Sequence, residues 1–128
     1  MNKFQARLCA YVGNRVGSAN GWRYFPRRPL GPSLPWAVAQ QAVNQNNEWG
    51  NTGLIFNPLA IPAHARMVRE WLHNNHIGVR EWRSTTHAYC QLQHFNGAFS
   101  ATCCARGYHQ RMLALLMAIR TLPAEEKG

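Results

Sequence analysis

The fold is decided by residues 77–104, which read IGVREWRSTTHAYCQLQHFNGAFSATCC. Alternating apolar and polar side chains predict strands at 77–83 and 87–95, because successive side chains of a strand point to opposite faces of its sheet. The dipeptide Asn96-Gly97 is a strong hairpin signal and predicts that 98–104 pairs back as a third strand. The stretch therefore predicts an antiparallel meander, with Ala88, Cys90 and Leu92 together on one face and Phe99, Ala101 and Cys103 grouped together.

Helical patterns flank this meander on both sides. Residues 63–75 predict a helix, because apolar side chains recur there at intervals of three and four. After a break at Gly107, residues 108–122 predict a second helix that ends at Pro123. The resulting order α-β-β-β-α over 61–122 predicts an α+β fold in which an antiparallel meander sheet is packed by helices.

Residues 1–60 are less regular, because glycine, asparagine and proline interrupt their apolar patterning. The elements predicted there are a strand at 4–12, a turn or loop at 13–21, a short strand at 22–25 and a helix at 36–43. A chain of 128 residues has the size of one domain. We therefore expect a single domain in which 1–60 forms an irregular N-terminal extension of strand, loop and short helix.

Charge is the unusual feature of the composition. The 14 basic residues stand against 5 acidic ones, which gives a net charge of +9, and 12 of the 14 are arginine. Arginine adds a planar fork that binds phosphate or carboxylate bidentately and stacks on flat rings. The excess therefore favours an anionic partner over a merely solvated basic surface. We expect that partner to be nucleic acid, a nucleotide, or an acidic or nucleic-acid-binding protein.

Arginine and aromatic residues are interleaved in three clusters along the chain. Such segments suit a surface for stacked bases and phosphates, although their aromatic residues are also common in cores. The sequence leaves open which of the clusters face solvent. The predicted anion-binding residues are Arg15, Trp22, Arg23, Tyr24, Arg27 and Arg28 in the first cluster, Arg80, Trp82 and Arg83 in the second, and Arg106, His109 and Arg111 in the third.

Enzyme and metal chemistry find little support in the sequence. With five glutamates and no aspartate, a paired-carboxylate mechanism is a poor fit. No Cys-x-x-Cys pair occurs, so the spacing of structural zinc sites is missing. Cys90 and Cys103 fall at apolar strand positions, where free cysteines are typically packing groups. We therefore expect a non-enzymatic protein with no catalytic residue, no cofactor and no metal.

The chain shows no apolar run of the length of a signal peptide or of a membrane span. Its four cysteines are then expected to be reduced thiols. These features predict a cytoplasmic protein without a membrane partner, and they leave homodimer formation open.

The second half resembles the double-stranded-RNA-binding domains in its α-β-β-β-α order. In that family, basic residues at the opening of the last helix bind phosphates. Arg106, His109 and Arg111 occupy the corresponding place here. The resemblance implies that this third cluster contacts a nucleic-acid backbone.

A second resemblance is to the small phage ABA-sandwich and NinX-like phage accessory proteins. It is carried by Asn57-Pro58-Leu59, the amphipathic helix through Leu72, the meander, and Phe99-Ser100-Ala101 leading into the alanine- and leucine-rich stretch 112–119. It implies a small accessory protein of a phage or mobile element that acts inside a bacterial host, so that an acidic or nucleic-acid-binding protein partner would be a host protein. An alternative role within this resemblance is anti-defence (anti-CRISPR-like) inhibition by direct binding to a host protein.

Overall fold

The computed structural model describes residues 2–19, 22–26, 38–43, 49–107 and 109–123, with side chains for 2–16, 56–107 and 109–123. The chain divides into two compact units, Met1–Trp71 and Leu72–Gly128. The elements in chain order are α1 (Lys3–Ala19), β1 (Trp22–Pro26), β2 (Val38–Val43), β3 (Trp49–Ile55), α2 (Pro62–Asn74), β4 (Gly78–Arg83), β5 (His87–Gln93), β6 (Cys103–Arg106) and α3 (Arg111–Arg120). The predicted α+β class and the α-β-β-β-α order of the second half are confirmed.

Helix α1 replaces the predicted strand at 4–12 and the predicted loop as far as Ala19, and both predictions are wrong there. A capping box starts the helix: Gln5 N–H donates to Asn2 Oδ1 at 2.8 Å, and Asn2 N–H donates to Gln5 Oε1 at 3.1 Å. Leu8, Val12 and Val16 recur at intervals of four and are fully buried. Their burial outweighs the cost of about 1 kcal/mol for each glycine inside a helix.

The sheet of the first unit has the order β1-β2-β3 and is antiparallel throughout. Helix α1 packs against β1 and β2. The predicted strand at 22–25 is confirmed, whereas the helix predicted at 36–43 is wrong over Val38–Val43, which is the central strand. Alanine and glutamine favour helix locally, but neighbours on both sides satisfy the backbone donors and acceptors of β2.

A buried histidine links α2 to the residues that follow β3. Asn57 N–H donates to His64 Nδ1 at 2.9 Å, and the imidazole stacks on Phe56 with 5.2 Å between ring centroids. Nδ1 accepts this bond only when it carries no proton. Burial lowers the pKa of His64, because desolvation disfavours the imidazolium. His64 is therefore a neutral, buried side chain of the first unit.

This histidine makes folding stability dependent on pH. An unfolded chain takes up a proton near the ordinary histidine pKa of about 6.5, whereas folded His64 takes it up only at lower pH. Stability is therefore expected to fall as the pH drops below about 6.5. In His64→Phe the urea midpoint should depend less on pH, and at neutral pH the variant should lose about 1–3 kcal/mol because Asn57 N–H loses its acceptor.

The control is His73→Gln, which changes an exposed histidine of the same helix and should keep the pH dependence of the parent protein. Equal pH dependence in His64→Phe and the parent protein would contradict this account.

The second unit contains an antiparallel sheet of order β4-β5-β6. Strands β4 and β5 are joined by a tight turn in which Ser84 N–H donates to the His87 carbonyl at 2.9 Å. The predicted hairpin after β5 is confirmed: Gly97 adopts φ +87°, and His94 N–H donates to the Ala98 carbonyl at 2.8 Å. Its loop has three central residues, a form that uses glycine in the left-handed region.

The third strand of this sheet begins later than predicted, at Cys103, and ends at Arg106. Ser100 interrupts the ladder, because its Oγ accepts the Leu92 N–H at 2.9 Å. Phe99 pairs with Gln93 and is 48% exposed, so the predicted grouping of Phe99 and Ala101 with Cys103 is wrong. Because the segment between them is irregular, Phe99 and Cys103 lie on opposite faces of the sheet.

Helix α3 packs on β5 and β6 and closes the core of the second unit. It begins at Arg111 rather than at the predicted position 108, because Gly107 adopts φ +109° and turns the chain after β6. Burial follows strand alternation, as predicted for β5. The buried side chains are Ala88, Cys90, Leu92 and Ala105 from the sheet and Ala114, Leu115, Leu116, Ala118 and Ile119 from the helix.

Gly107→Ala is expected to lower the free energy of unfolding by about 1–3 kcal/mol, because an L side chain is strained at this φ. The new Cβ would also lie 3.2 Å from Gln110 Cγ and 3.3 Å from His109 Cε1. Gly78→Ala is the matched control, since its Cβ would meet Gln93 Cβ at an ordinary 3.5 Å. Urea unfolding should show a smaller effect for Gly78→Ala, and equal losses would contradict the account.

Candidate functional site

The sheet of the second unit has an outer face, opposite to the side chains that α3 buries. Because side chains alternate along a strand, the neighbours of Ala88, Cys90 and Leu92 point away from α3. The register adds the residues of β4 and β6 that pair with them. The outer face consists of Arg80, Trp82, His87, Tyr89, Gln91, Gln93, Cys104 and Arg106, together with Phe99, which pairs with Gln93.

The outer face contains two parallel aromatic rings, those of Trp82 and Tyr89. Trp82 and Tyr89 are direct partners across β4 and β5, with 5.5 Å between ring centroids and 6° between ring planes. This is an offset stack, the arrangement that aromatic quadrupoles favour. The His87 ring lies 6.1 Å from that of Tyr89, tilted by 35°, and its Nδ1 lies 2.7 Å from Thr86 Oγ1. Trp82 nevertheless remains 42% exposed.

Arginines lie toward both ends of this aromatic row. Arg106 is the register partner of His87 at one end, and its side chain is exposed. Arg80 lies toward the other end, where its guanidinium carbon is 5.5 Å from the centroid of the Phe99 ring. Such cation–π contacts orient a guanidinium while leaving its edge able to donate hydrogen bonds. The row therefore combines flat apolar rings with cationic groups.

Among the described residues that define the outer face, none carries a carboxylate. Glu81 is the acidic residue of β4–β6, and it has the opposite facing because it pairs with Cys90. Arg111 Nη2 donates to Glu81 Oε2 at 2.8 Å, with 16% of the Glu81 side chain exposed and 50% of the Arg111 side chain. Arg80 and Arg106 therefore make the electrostatic potential over the outer face positive.

A cavity of about 200 Å³ adjoins the outer face at β4. It is lined by Glu81, Trp82, Arg83 and Arg111. Trp82 thus contributes both to the aromatic row and to a recess that contains the Glu81–Arg111 ion pair and a further arginine. Two guanidinium groups and one carboxylate therefore line this recess.

The structure brings the predicted anion-binding residues together only in part. Arg80, Trp82 and Arg106 share the outer face, which joins members of the second and third clusters. Arg83 and Arg111 line the cavity, and His109 is exposed between β6 and α3.

The side chains of the first cluster lie outside the described ones, apart from that of Arg15. Arg15 lies on α1 and not in a loop, with its guanidinium 5.3 Å from the Trp71 ring centroid and 6.0 Å from that of Tyr11. Trp22, Arg23 and Tyr24 belong to β1, for which backbone alone is described. Arg27 and Arg28 lie outside the described residues.

Six residues of the outer face were absent from the sequence prediction of the site: the ring-bearing His87, Tyr89 and Phe99, and also Gln91, Gln93 and Cys104. The signal for His87 and Tyr89 was present, because both alternate with the apolar residues of β5. Phe99 had no usable signal, since the interruption at Ser100 changes its facing.

The Cys9 and Cys103 thiols are poorly suited to nucleophilic chemistry. Burial raises the pKa of the Cys9 thiol to about 12. Burial also raises the pKa of Cys103, as does the neighbouring Cys104, while Arg120 acts in the opposite direction. Since the thiolate is the reactive form, a raised pKa suppresses reactivity. Within the described ranges, no group of three His, Cys or acidic residues is placed to hold a metal, and no helix is long and apolar enough to cross a membrane.

The Glu81–Arg111 ion pair is expected to stabilise the second unit by about 0.5–1 kcal/mol, near the upper end for partly exposed pairs because Glu81 is mostly withdrawn from water. A double-mutant cycle of Glu81→Gln and Arg111→Gln, followed by urea unfolding, measures this coupling directly. Glu70→Gln in place of Glu81→Gln is the control, since Glu70 is an exposed carboxylate of α2. Coupling of equal size in the control cycle would contradict the assignment.

Comparison with known proteins does not indicate a function for the outer face. No family model, no curated protein and no solved structure matches the chain. The function of the outer face is therefore argued from its rings, charges and contacts.

Proposed function

We propose that this protein binds nucleic acid through the outer face of its second sheet and performs no chemistry on it. The observation that carries the proposal is the parallel Trp82–Tyr89 pair, with Trp82 exposed, between Arg80 and Arg106. None of the residues that define this face is acidic. A large apolar ring left in contact with water is a cost in the free protein. A ligand that covers the ring and also neutralises the arginines removes that cost.

The arginines supply the sequence-independent part of the interaction. A guanidinium donates two parallel hydrogen bonds to a phosphate, and each neutralised phosphate releases condensed counterions. Arg80 and Arg106 lie toward opposite ends of the face, so they suit two different phosphates of one strand. Nucleic acid has such a repeated anionic backbone.

The rings supply the second part. Base stacking on an exposed aromatic side chain contributes about 1–3 kcal/mol per base. Trp82 offers the largest exposed ring of the face, and its contact with Tyr89 limits its rotamers before a ligand arrives. Less conformational entropy is then lost on binding.

This arrangement moves the centre of the interaction away from the start of the last helix. The resemblance to double-stranded-RNA-binding domains implies phosphate contacts by Arg106, His109 and Arg111. Here Arg111 is held by Glu81, whereas Arg106 belongs to the sheet. The proposal therefore assigns the main contacts to the sheet. The phage-accessory role implied by the second resemblance is compatible with such binding.

The proposal predicts binding that weakens steeply with salt. Arg80→Gln and Arg106→Gln should each weaken binding of a fluorescent oligonucleotide of about twelve nucleotides and lower the slope of log affinity against log salt by about 1. The measurement is fluorescence anisotropy over about 25–200 mM salt. Arg66→Gln is the matched control, because it removes the same charge from an exposed position of α2.

Two outcomes would contradict the proposal. One is the absence of binding to RNA and DNA oligonucleotides at the lowest salt. The other is an equal loss of slope in Arg66→Gln, which would assign the effect to net charge. If oligonucleotides do not bind and one acidic host protein is retained from a nuclease-treated lysate, the partner is a protein and the alternative inhibitory role takes the place of this proposal.

A further inference from the structure

We infer that the outer face selects unpaired bases, so that the ligand is a single-stranded segment of RNA or DNA and not a duplex; this inference rests on the proposed function. It differs from the expectation raised by the double-stranded-RNA-binding topology. It is carried by the position of the rings on the sheet, by the breadth of the sheet and by the placement of the amide side chains.

The aromatic row requires access to the flat faces of bases. Trp82 and Tyr89 are paired across β4 and β5, with their rings parallel. In a duplex, both faces of each internal base are covered by stacked neighbours, and only the base edges line the grooves. The rings could then contact a duplex only through its backbone, and Trp82 would contribute little stacking energy to binding. An unpaired strand offers one base face after another.

The shape of the second unit also opposes groove binding. The major groove of B-DNA admits a helix or a two-stranded ribbon, and the deep groove of A-form RNA is too narrow for side chains to read. The outer face belongs to a three-stranded sheet, which is broader than a ribbon.

Amide side chains lie beside the rings and suit base edges that pairing would hide. Gln91 is the register partner of Arg80, and its Nε2 donates to the Ser100 carbonyl at 3.2 Å. With Nε2 engaged in this bond, the amide oxygen is the group of Gln91 that can accept a hydrogen bond from a ligand. The Watson–Crick edge of a base carries hydrogen-bond donors, and it is accessible only when the base is unpaired.

The dimensions fit a short track along the strand. Strand β5 has seven residues, and at about 3.4 Å per residue its length is roughly 20 Å. Arg106 and His87 lie at one end of this track, and Phe99 and Gln93 lie at the other. The site therefore suits several consecutive nucleotides and not one isolated nucleotide.

The test compares a single strand of about twelve nucleotides with a blunt duplex of the same sequence, by anisotropy at constant salt. We expect the protein to bind the single strand at least about 10-fold more tightly than the duplex. Trp82→Ala should weaken single-strand binding on the order of 10- to 100-fold and leave duplex binding nearly unchanged, so that the preference disappears. Trp82→Phe, which keeps a ring, should retain most of the preference.

Phe4→Ala is the matched control, because Phe4 is 41% exposed and Trp82 is 42% exposed. It should leave both affinities unchanged. If Trp82→Ala fails to fold, Trp82→Leu gives the same readout, since leucine keeps apolar volume and removes the π face.

The outcomes separate the inference from the proposed function. Equal or tighter binding of the duplex overturns the inference while nucleic-acid binding stands. A single-strand preference that survives both Trp82→Ala and Trp82→Leu also overturns it, because the rings are then not its source. If neither ligand binds at low salt, the proposed function fails, and the inference fails with it.

Discussion

Alternate residues of β5 are buried beneath α3, and this burial determines which side chains the second sheet presents to solvent. Ala88, Cys90 and Leu92 are withdrawn from water. Because a strand has a period of two, the residues between them must point the other way. A slip of one residue would bury Tyr89 and expose Leu92, so the hydrophobic effect holds the register on which the outer face depends.

The same alternation separates the charges of the second unit. Glu81 faces the α3 side of β4, where Arg111 neutralises it, and the side chains on the outer face of β4 are Arg80 and Trp82. The positive charge of the second unit is thereby concentrated on one face of its sheet. Cationic groups and exposed rings are thereby placed at one surface, which is the arrangement that the proposed binding of a nucleic-acid strand requires.

In the first unit, the loop-forming residues of the sequence were outweighed by helix capping and by buried apolar side chains. Glycines and asparagines within 13–21 are typical of a loop, yet the capping pair Asn2–Gln5 and the buried series Leu8, Val12 and Val16 form one long helix. Strand β2 reverses the local preference in the other direction, because pairing with β1 and β3 outweighs the helix propensity of alanine and glutamine. Neither pairing partner is visible from a short window of sequence.

By itself, the sequence determined the α-β-β-β-α order, the hairpin at Gly97 and the facing of β5, because periodicity and turn residues are local properties that burial then reinforces. It also placed Arg80, Trp82 and Arg106 among the candidate residues. Only the tertiary structure decided that these three share one face with Tyr89 and Phe99, while Arg111 is held by Glu81. The physical reason is that strand register and the interruption at Ser100 join residues distant in sequence, and no local pattern encodes either of them.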